Sequence, residues 1–200
     1  MATPLTNDLR QEYLTLFTRC VIRPEHQAEA ENTALDIVKN KARYQTVGSA
    51  LNIPWCFIGV IHCMEGSLNF KTHLHNGDPL TARTVHVPQG RPPTGDPPFT
   101  WEASAIDALT LRKLNTVTDW TVPGMLYQVE GYNGFGYRGL TPPIRSPYLW
   151  SFSEYYTAGK FVGDHLFDPH SVSKQCGGAV ILREMQNRAM VQPASDGTLR

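Results

Sequence analysis

Glu65 follows an apolar stretch running from Leu51 to Met64 and precedes Gly66-Ser67-Leu68-Asn69-Phe70. A carboxyl group at the end of an enclosed helix is costly to ionise, because desolvation and the negative end of the helix dipole both oppose its charge. Such a group is suited to hold a proton near neutral pH and release it as a general acid. Further on, Asp78 stands in Asn76-Gly77-Asp78-Pro79, a turn signal in which a carboxylate stays hydrated. Two acids in unlike environments suggest glycoside cleavage. One donates a proton to the leaving oxygen, and the other orients water or stabilises an oxocarbenium-like transition state. The plainer reading of Asp78 is that of a turn former. Ser67 is placed to hydrogen-bond the Glu65 carboxyl, and His62 lies one turn before it.

The histidines offer a rival chemistry. His62, Glu65, His73, His75 and Asp78 are close in sequence, and His73 and His75 fall on one face of a strand-like run. That set allows a zinc-dependent amidase or peptidase. The arrangement lacks the HExxH pattern, and a catalytic zinc would take the acid away from Glu65. The expectation is therefore no metal and no cofactor. Aromatic loops add possible sugar platforms: Tyr132, Tyr137, Tyr155 and Tyr156 could stack on pyranose faces, with core packing as the alternative for each. Asn133, between Tyr132 and Gly134, is suited to face a ligand or to form a left-handed turn.

The elements that must position these groups are mostly helical. Charge alternating with Leu9, Tyr13, Leu16, Phe17 and Cys20 predicts a helix over 7–22, and Pro24 opens a second over 24–43. A third, from Pro54 to Glu65, is apolar nearly all round, as a central buried helix would be. Residues 69–87 read as a small β-hairpin about the Asn76–Pro79 turn, and 88–98 as a Pro- and Gly-rich loop. Helices follow over 100–114, with Thr100 as N-cap, and over 118–130. An aromatic, Gly-rich loop spans 131–137, and Asp168-Pro169 opens a last helix to Asn187. The predicted class is α+β, mostly α-helical, with a central buried helix and a small β-hairpin.

Two hundred residues suit one sizeable core. The formal net charge is zero, so no broad basic field draws nucleic acid or anionic membrane. A spanning helix needs about 20 apolar residues, more than the run before Glu65 supplies, so no stable membrane insertion is expected. The start of the chain has no cationic, apolar pattern of signal-peptide type, which predicts synthesis and accumulation in a cytoplasm. Cys20, Cys56, Cys63 and Cys176 form no CxxC pair. Cys56 and Cys63 lie about 10 Å apart along a helix, too far to bridge. Free thiols are the expectation.

Met64-Glu65-Gly66-Ser67-Leu68-Asn69-Phe70 resembles the Glu-Ser-x-Phe signature of the lysozyme-like superfamily, which includes goose-type lysozymes, lytic transglycosylases and phage endolysins. Tyr132-Asn133-Gly134 is similar to the Tyr-Asn-(Ala/Gly) motif of those enzymes. His73 to Val85, Ser146 to Trp150, Gly159 to Val162 and Phe167 to Pro169 look like phage-type endolysins in particular. The resemblance covers residues 46–188. It implies a catalytic domain over that span, an N-terminal helical extension over 1–45 packed on the core, and a frayed tail over 189–200.

The implied activity is cleavage of the β-1,4 bond between N-acetylmuramic acid and N-acetylglucosamine in peptidoglycan. Glu65 matches the catalytic acid, Asp78 the second acid of the hairpin, and Thr84 a hydroxyl that some phage lysozymes use to position water. Asn133, Tyr132, Tyr137, His62, Ser67, Tyr155 and Tyr156 are the candidate substrate-binding residues. Gly66 departs from the commonest signature, which has Ser there. A lytic transglycosylase would need no second acid, because the muramic C6 hydroxyl attacks instead. A non-catalytic wall-binding domain is the remaining alternative. The implied partner is the peptidoglycan glycan strand, met by a monomer after release from the host cytoplasm.

Overall fold

The alternating pattern near the N-terminus folds as α1 (Asn7–Arg19), with Leu9, Tyr13, Leu16 and Phe17 buried. Thr6 caps it, its hydroxyl accepting the Leu9 N–H at 3.2 Å. The structure, a computed structural model, describes residues 3–163 and 165–200. The helix expected over 24–43 is divided. A single 3-10 turn (Pro24–His26) leads into α2 (Gln27–Lys39), and α3 (Lys41–Leu51) begins after Asn40. Asn40 leaves helical geometry at φ −103° and ψ 13°, as asparagine tends to do because its side chain competes for backbone hydrogen bonds. The second helix contains no proline or glycine, so the break carries no strong sequence signal.

Two compact units result. One comprises residues up to Asp36 together with Thr121–Leu199, and the other Ile37–Trp120. This differs from the expected division into an extension over 1–45, a domain over 46–188 and a tail. The first helix is part of a core with the C-terminal half of the chain: α1 packs on α6 (Val122–Asn133) and α8 (Gly178–Asn187).

In the 37–120 unit, α3, α4 (Trp55–Gly66) and α5 (Trp101–Leu111) pack together. Tyr44, Val47, Phe57, Ile58, Ile61, Trp101 and Leu109 are almost fully enclosed. The central helix is thus as buried as its apolar run predicts. Thr100 caps α5 by accepting the Ala103 N–H at 3.2 Å. All four cysteines are free; Cys20, Cys56 and Cys176 are buried, and burial pushes the Cys20 and Cys56 thiols up to about 12. No single described helix is long and apolar enough to cross a membrane. The pair α3 and α4 passes on composition but bends by 112° at the break, and α4 spends its apolar surface on the core.

The expected hairpin over 69–87 is not a ladder. Thr72 and Pro79 form one isolated antiparallel bridge, and the segment is otherwise turns. Its alternating histidines do not form the outer face of a strand; His73 is turned into a polar core with Leu74 beside it. The two-stranded sheet lies elsewhere, in β1 (Lys160–Gly163) and β2 (Leu166–Asp168). These pair antiparallel with Phe161 opposite Phe167. Aromatic cross-strand pairing of this kind stabilises short ladders. The mostly helical α+β class holds, with its small sheet in the other unit.

Two further expectations are corrected. The last helix starts at Gly178 rather than at Asp168, because residues 169–177 lack apolar periodicity. The tail does not fray: Leu199 and Val191 are buried, Thr198 bridges Thr121, and Pro193 bridges Leu199.

Candidate active site

In the 37–120 unit the chemistry-bearing residues lie at the end of α4 and in the loops after it. The end of α4 is held by an aromatic cluster. His62 is 1% exposed. Its ring centroid lies 4.5 Å from those of Phe70 and Trp101, and its Nδ1 meets the Tyr44 hydroxyl at 3.0 Å. Burial lowers His62 to about 4, so it is neutral at physiological pH. This is a core residue, and the expectation that His62 binds substrate is corrected: the apolar run that buries α4 encloses His62 with it. Its Nε2 is buried without a hydrogen-bond partner in the structure.

Glu65 is exposed, not enclosed as the apolar run predicts. Burial on α4 ends at Met64, and glutamate side chains are seldom fully buried. The helix then closes with left-handed residues Ser67 (φ 48°) and Leu68 (φ 57°). The N–H groups of Ser67 and Leu68 donate to the Cys63 and His62 carbonyls at 3.1 and 3.3 Å. Ser67 is exposed and serves as the cap of this turn. Gly66 allows the close approach of His62, since a Cβ there would stand 3.0 Å from His62 Cδ2. The departure from the Ser-bearing signature therefore has a local packing reason.

Asp78 and Thr84 are brought together in the loops beyond Glu65, and both are heavily engaged. Asp78 Oδ2 accepts the Val85 and His86 N–H groups at 2.8 and 3.0 Å, and Oδ1 meets His86 Nδ1 at 2.6 Å. Donation from the His86 backbone and ring, and then from Val85, holds Asp78 well below the usual carboxylate range. It is an ionised loop organiser. Thr84 is 2% exposed. Its hydroxyl donates to Pro88 O at 2.5 Å and accepts the Arg91 N–H at 2.8 Å. The water-positioning role expected of Thr84 is corrected: donor and acceptor are both spent on closing its own loop.

His73 uses both ring nitrogens, whereas His75 uses Nε2 and leaves Nδ1 buried without a hydrogen-bond partner. His73 Nε2 donates to the Ala82 carbonyl at 2.8 Å, which leaves Nδ1 to accept from the Ser104 hydroxyl at 2.7 Å. His75 Nε2 meets Asp107 Oδ2 at 2.8 Å, and burial lowers its pKa against the pull of that carboxylate. Asp107 also takes a two-pronged contact from Arg91. It thereby ties the 73–78 turn and the 84–91 loop to α5. The joint metal ligation by His73 and His75 that the sequence allows is not how their ring nitrogens are used. Among the described residues, no group of three or more His, Cys, Asp and Glu side chains could hold a metal ion.

In the other unit, α6 extends through Tyr132 and Asn133, so these two form its last turn rather than a loop. Asn133 is exposed, Tyr132 half-buried, and Gly134 (φ 89°) turns the chain away. Tyr137 and Tyr156 are buried and corrected from sugar platforms to struts. The Tyr137 hydroxyl accepts the Phe161 N–H at 3.1 Å; that of Tyr156 accepts the Ser173 N–H at 3.1 Å and donates to Ser171 O at 3.4 Å. Tyr155 is half-buried, edge-on to Trp150.

The sequence reading missed the buried carboxylates of this unit. Glu130 is 2% exposed. It accepts Arg138 Nε at 2.9 Å, the Arg138 terminal nitrogen at 2.8 Å and the Tyr13 hydroxyl at 2.5 Å. Burial and the neighbouring Glu130 both raise the Tyr13 pKa. Glu184 on α8 is equally enclosed and is met by Gln27 and Arg188. The signal was present: Val122, Met125, Leu126 and Val129 define a buried face on α6, and Glu130 falls on it.

No family model, curated protein or solved structure matches the chain.

Proposed function

We propose that this protein cleaves the glycan strands of peptidoglycan at the β-1,4 bond between N-acetylmuramic acid and N-acetylglucosamine, with Glu65 as the general acid. The observation that carries the reading is the presentation of Glu65. An exposed carboxyl group stands on the last turn of a helix whose side chains from Trp55 to His62, and Met64, are locked in a core. A polymer cannot enter a closed cavity, so an acid that serves it must be accessible and rigidly based. A bound strand would itself strip water from the acid, as general-acid transfer requires. The motif resemblance around Glu65 and at Tyr132-Asn133-Gly134 agrees. In the unit of Glu65, Ser67 remains the accessible candidate for a contact to sugar; in the other unit, taken by itself, Tyr132, Asn133 and Tyr155 keep exposed surface.

The engagement of Asp78 and Thr84 favours a second form of the same reading. Asp78 accepts three hydrogen bonds within its own loop, and buried Thr84 has spent its hydroxyl proton on Pro88 O. A lytic transglycosylase needs neither, because the muramic C6 hydroxyl attacks while Glu65 handles the proton. Mass spectrometry of digested walls separates the two chemistries: new reducing ends mark hydrolysis, and 1,6-anhydro ends mark transglycosylation. Glu65→Gln should abolish both while the fold is retained. Lysis that survives this change sinks the proposal, and lysis abolished by a chelator favours the zinc alternative. Binding of walls without any cleavage by the unaltered protein favours a non-catalytic domain.

A further inference from the structure

A pocket of about 390 Å³ in the unit formed by residues up to Asp36 and Thr121–Leu199 is lined by Glu12, Glu130, Arg138, Pro143, Ile144, Arg145, Ser146 and Trp150. That volume is at the small end of the range for ligand pockets. The polar groups on its walls are unequally occupied. Glu130 is saturated by Tyr13 and Arg138. Arg138 gives Nε and one terminal nitrogen to Glu130, and the other terminal nitrogen to Glu12 at 3.1 Å. Arg145 differs. Its charged contacts are a loose pair with Glu12 at 3.6 Å and a place 5.6 Å from the Tyr155 ring centroid. Its guanidinium therefore keeps most of its donors. Beside it, the Ser146 hydroxyl is buried without a hydrogen-bond partner in the structure, a state that costs free energy until a partner arrives.

We propose that this pocket binds the C-terminal carboxylate of a short peptide, with Arg145 as its anchor. The guanidinium fork matches a carboxylate in two-pronged geometry. A small turn of the Ser146 side chain would bring its hydroxyl to the same group. Pro143, Ile144 and Trp150 offer an apolar wall for a short aliphatic side chain. Glu12 and Glu130 are opposed to such a ligand; Glu130 is matched by Arg138 and the Tyr13 hydroxyl, and the pairing of Glu12 to both arginines offsets its charge. The proposal does not depend on glycan cleavage by Glu65.

The test is titration of the full chain with N-acetylalanine, its amide and inorganic phosphate, followed by NMR shifts of Trp150 and Arg145. N-acetylalanine should give saturable shifts and the amide none. Arg145→Gln should weaken binding at least about tenfold, as loss of a charge-assisted pair does. Glu12→Gln should tighten binding, since it frees Arg145 and removes the opposing charge. Unchanged thermal midpoints in both variants show that their folds are retained; if Arg145→Gln unfolds, the Glu12→Gln result and the amide control decide alone. Equal binding of acid and amide, indifference to Arg145→Gln, or weaker binding by Glu12→Gln overturns the proposal. Phosphate binding as tight as N-acetylalanine also overturns it, because the pocket would then accept any small anion.

Discussion

Glu65 and Glu130 are both glutamates near the C-terminal end of a twelve-residue, largely buried helix, and they stand in opposite circumstances. Glu130 lies inside its unit, on the apolar face of α6, and is held by a bidentate arginine and a tyrosine hydroxyl. Glu65 emerges from α4 into solvent, while the neighbouring histidine, not the glutamate, is enclosed. A carboxylate can be buried only when partners replace its water. Each partner that does so takes away the freedom to react. Burial has made Glu130 a structural part, and exposure has left Glu65 available to a substrate.

The sharpest way to break this contrast is to replace each carboxyl group by an amide in turn. Glu65→Gln should lower wall-lytic activity by about 10²–10⁴-fold, the usual contribution of a general acid, with thermal stability almost unchanged. Glu130→Gln should do the reverse. Loss of a buried, paired charge leaves Arg138 with only the more exposed Glu12 and should cost about 3 kcal/mol, read by denaturant unfolding. If Glu65→Gln unfolds the protein, or Glu130→Gln leaves its stability intact, the division of labour is wrong.

A subtler test uses pH. His62 is neutral in the fold, with its pKa lowered by burial to about 4, while the unfolded chain takes up its proton near 6.5. Between these values the unfolded state binds more protons, so stability must fall as pH drops from about 6.5 towards 4. The loss should reach roughly 3 kcal/mol, at about 1.4 kcal/mol for each pH unit, and His62→Phe should flatten it. Asp78 acts lower on the scale. Its depressed pKa contributes stability above the ordinary carboxylate range, lost only as pH falls through its folded value. Asp78→Asn therefore removes that contribution in full near neutral pH, and the expected sign is faster amide exchange at Val85 and His86, confined to that loop. Global unfolding in this variant would show that the loop is part of the core.

The sequence made α4 legible because fourteen residues of apolar pattern leave few alternatives to a central helix. The surroundings of Glu65 were harder to read. Whether the residue after a buried run is enclosed depends on how far the neighbouring elements reach, and no periodicity records that. The hairpin was misplaced because Asn76-Gly77-Asp78-Pro79 gives a strong turn signal, whereas the partners that decide the region, Ser104 and Asp107, come from α5. The true ladder, with Phe161 opposite Phe167, lay in two segments quoted only for their motif resemblance, Gly159 to Val162 and Phe167 to Pro169. Glu130 was hidden for another reason: a charged residue on an apolar face is easily discounted until its arginine is known.

The far end of the chain has a practical consequence. Gly197 O receives the Val122 N–H at 3.2 Å, Thr198 bridges Thr121, and Leu199 is wholly enclosed. These contacts bolt the start of α6, the helix that bears Glu130, Tyr132 and Asn133, to a strip only three residues long. Removal of residues 197–199 would loosen that helix without touching any residue with a chemical function.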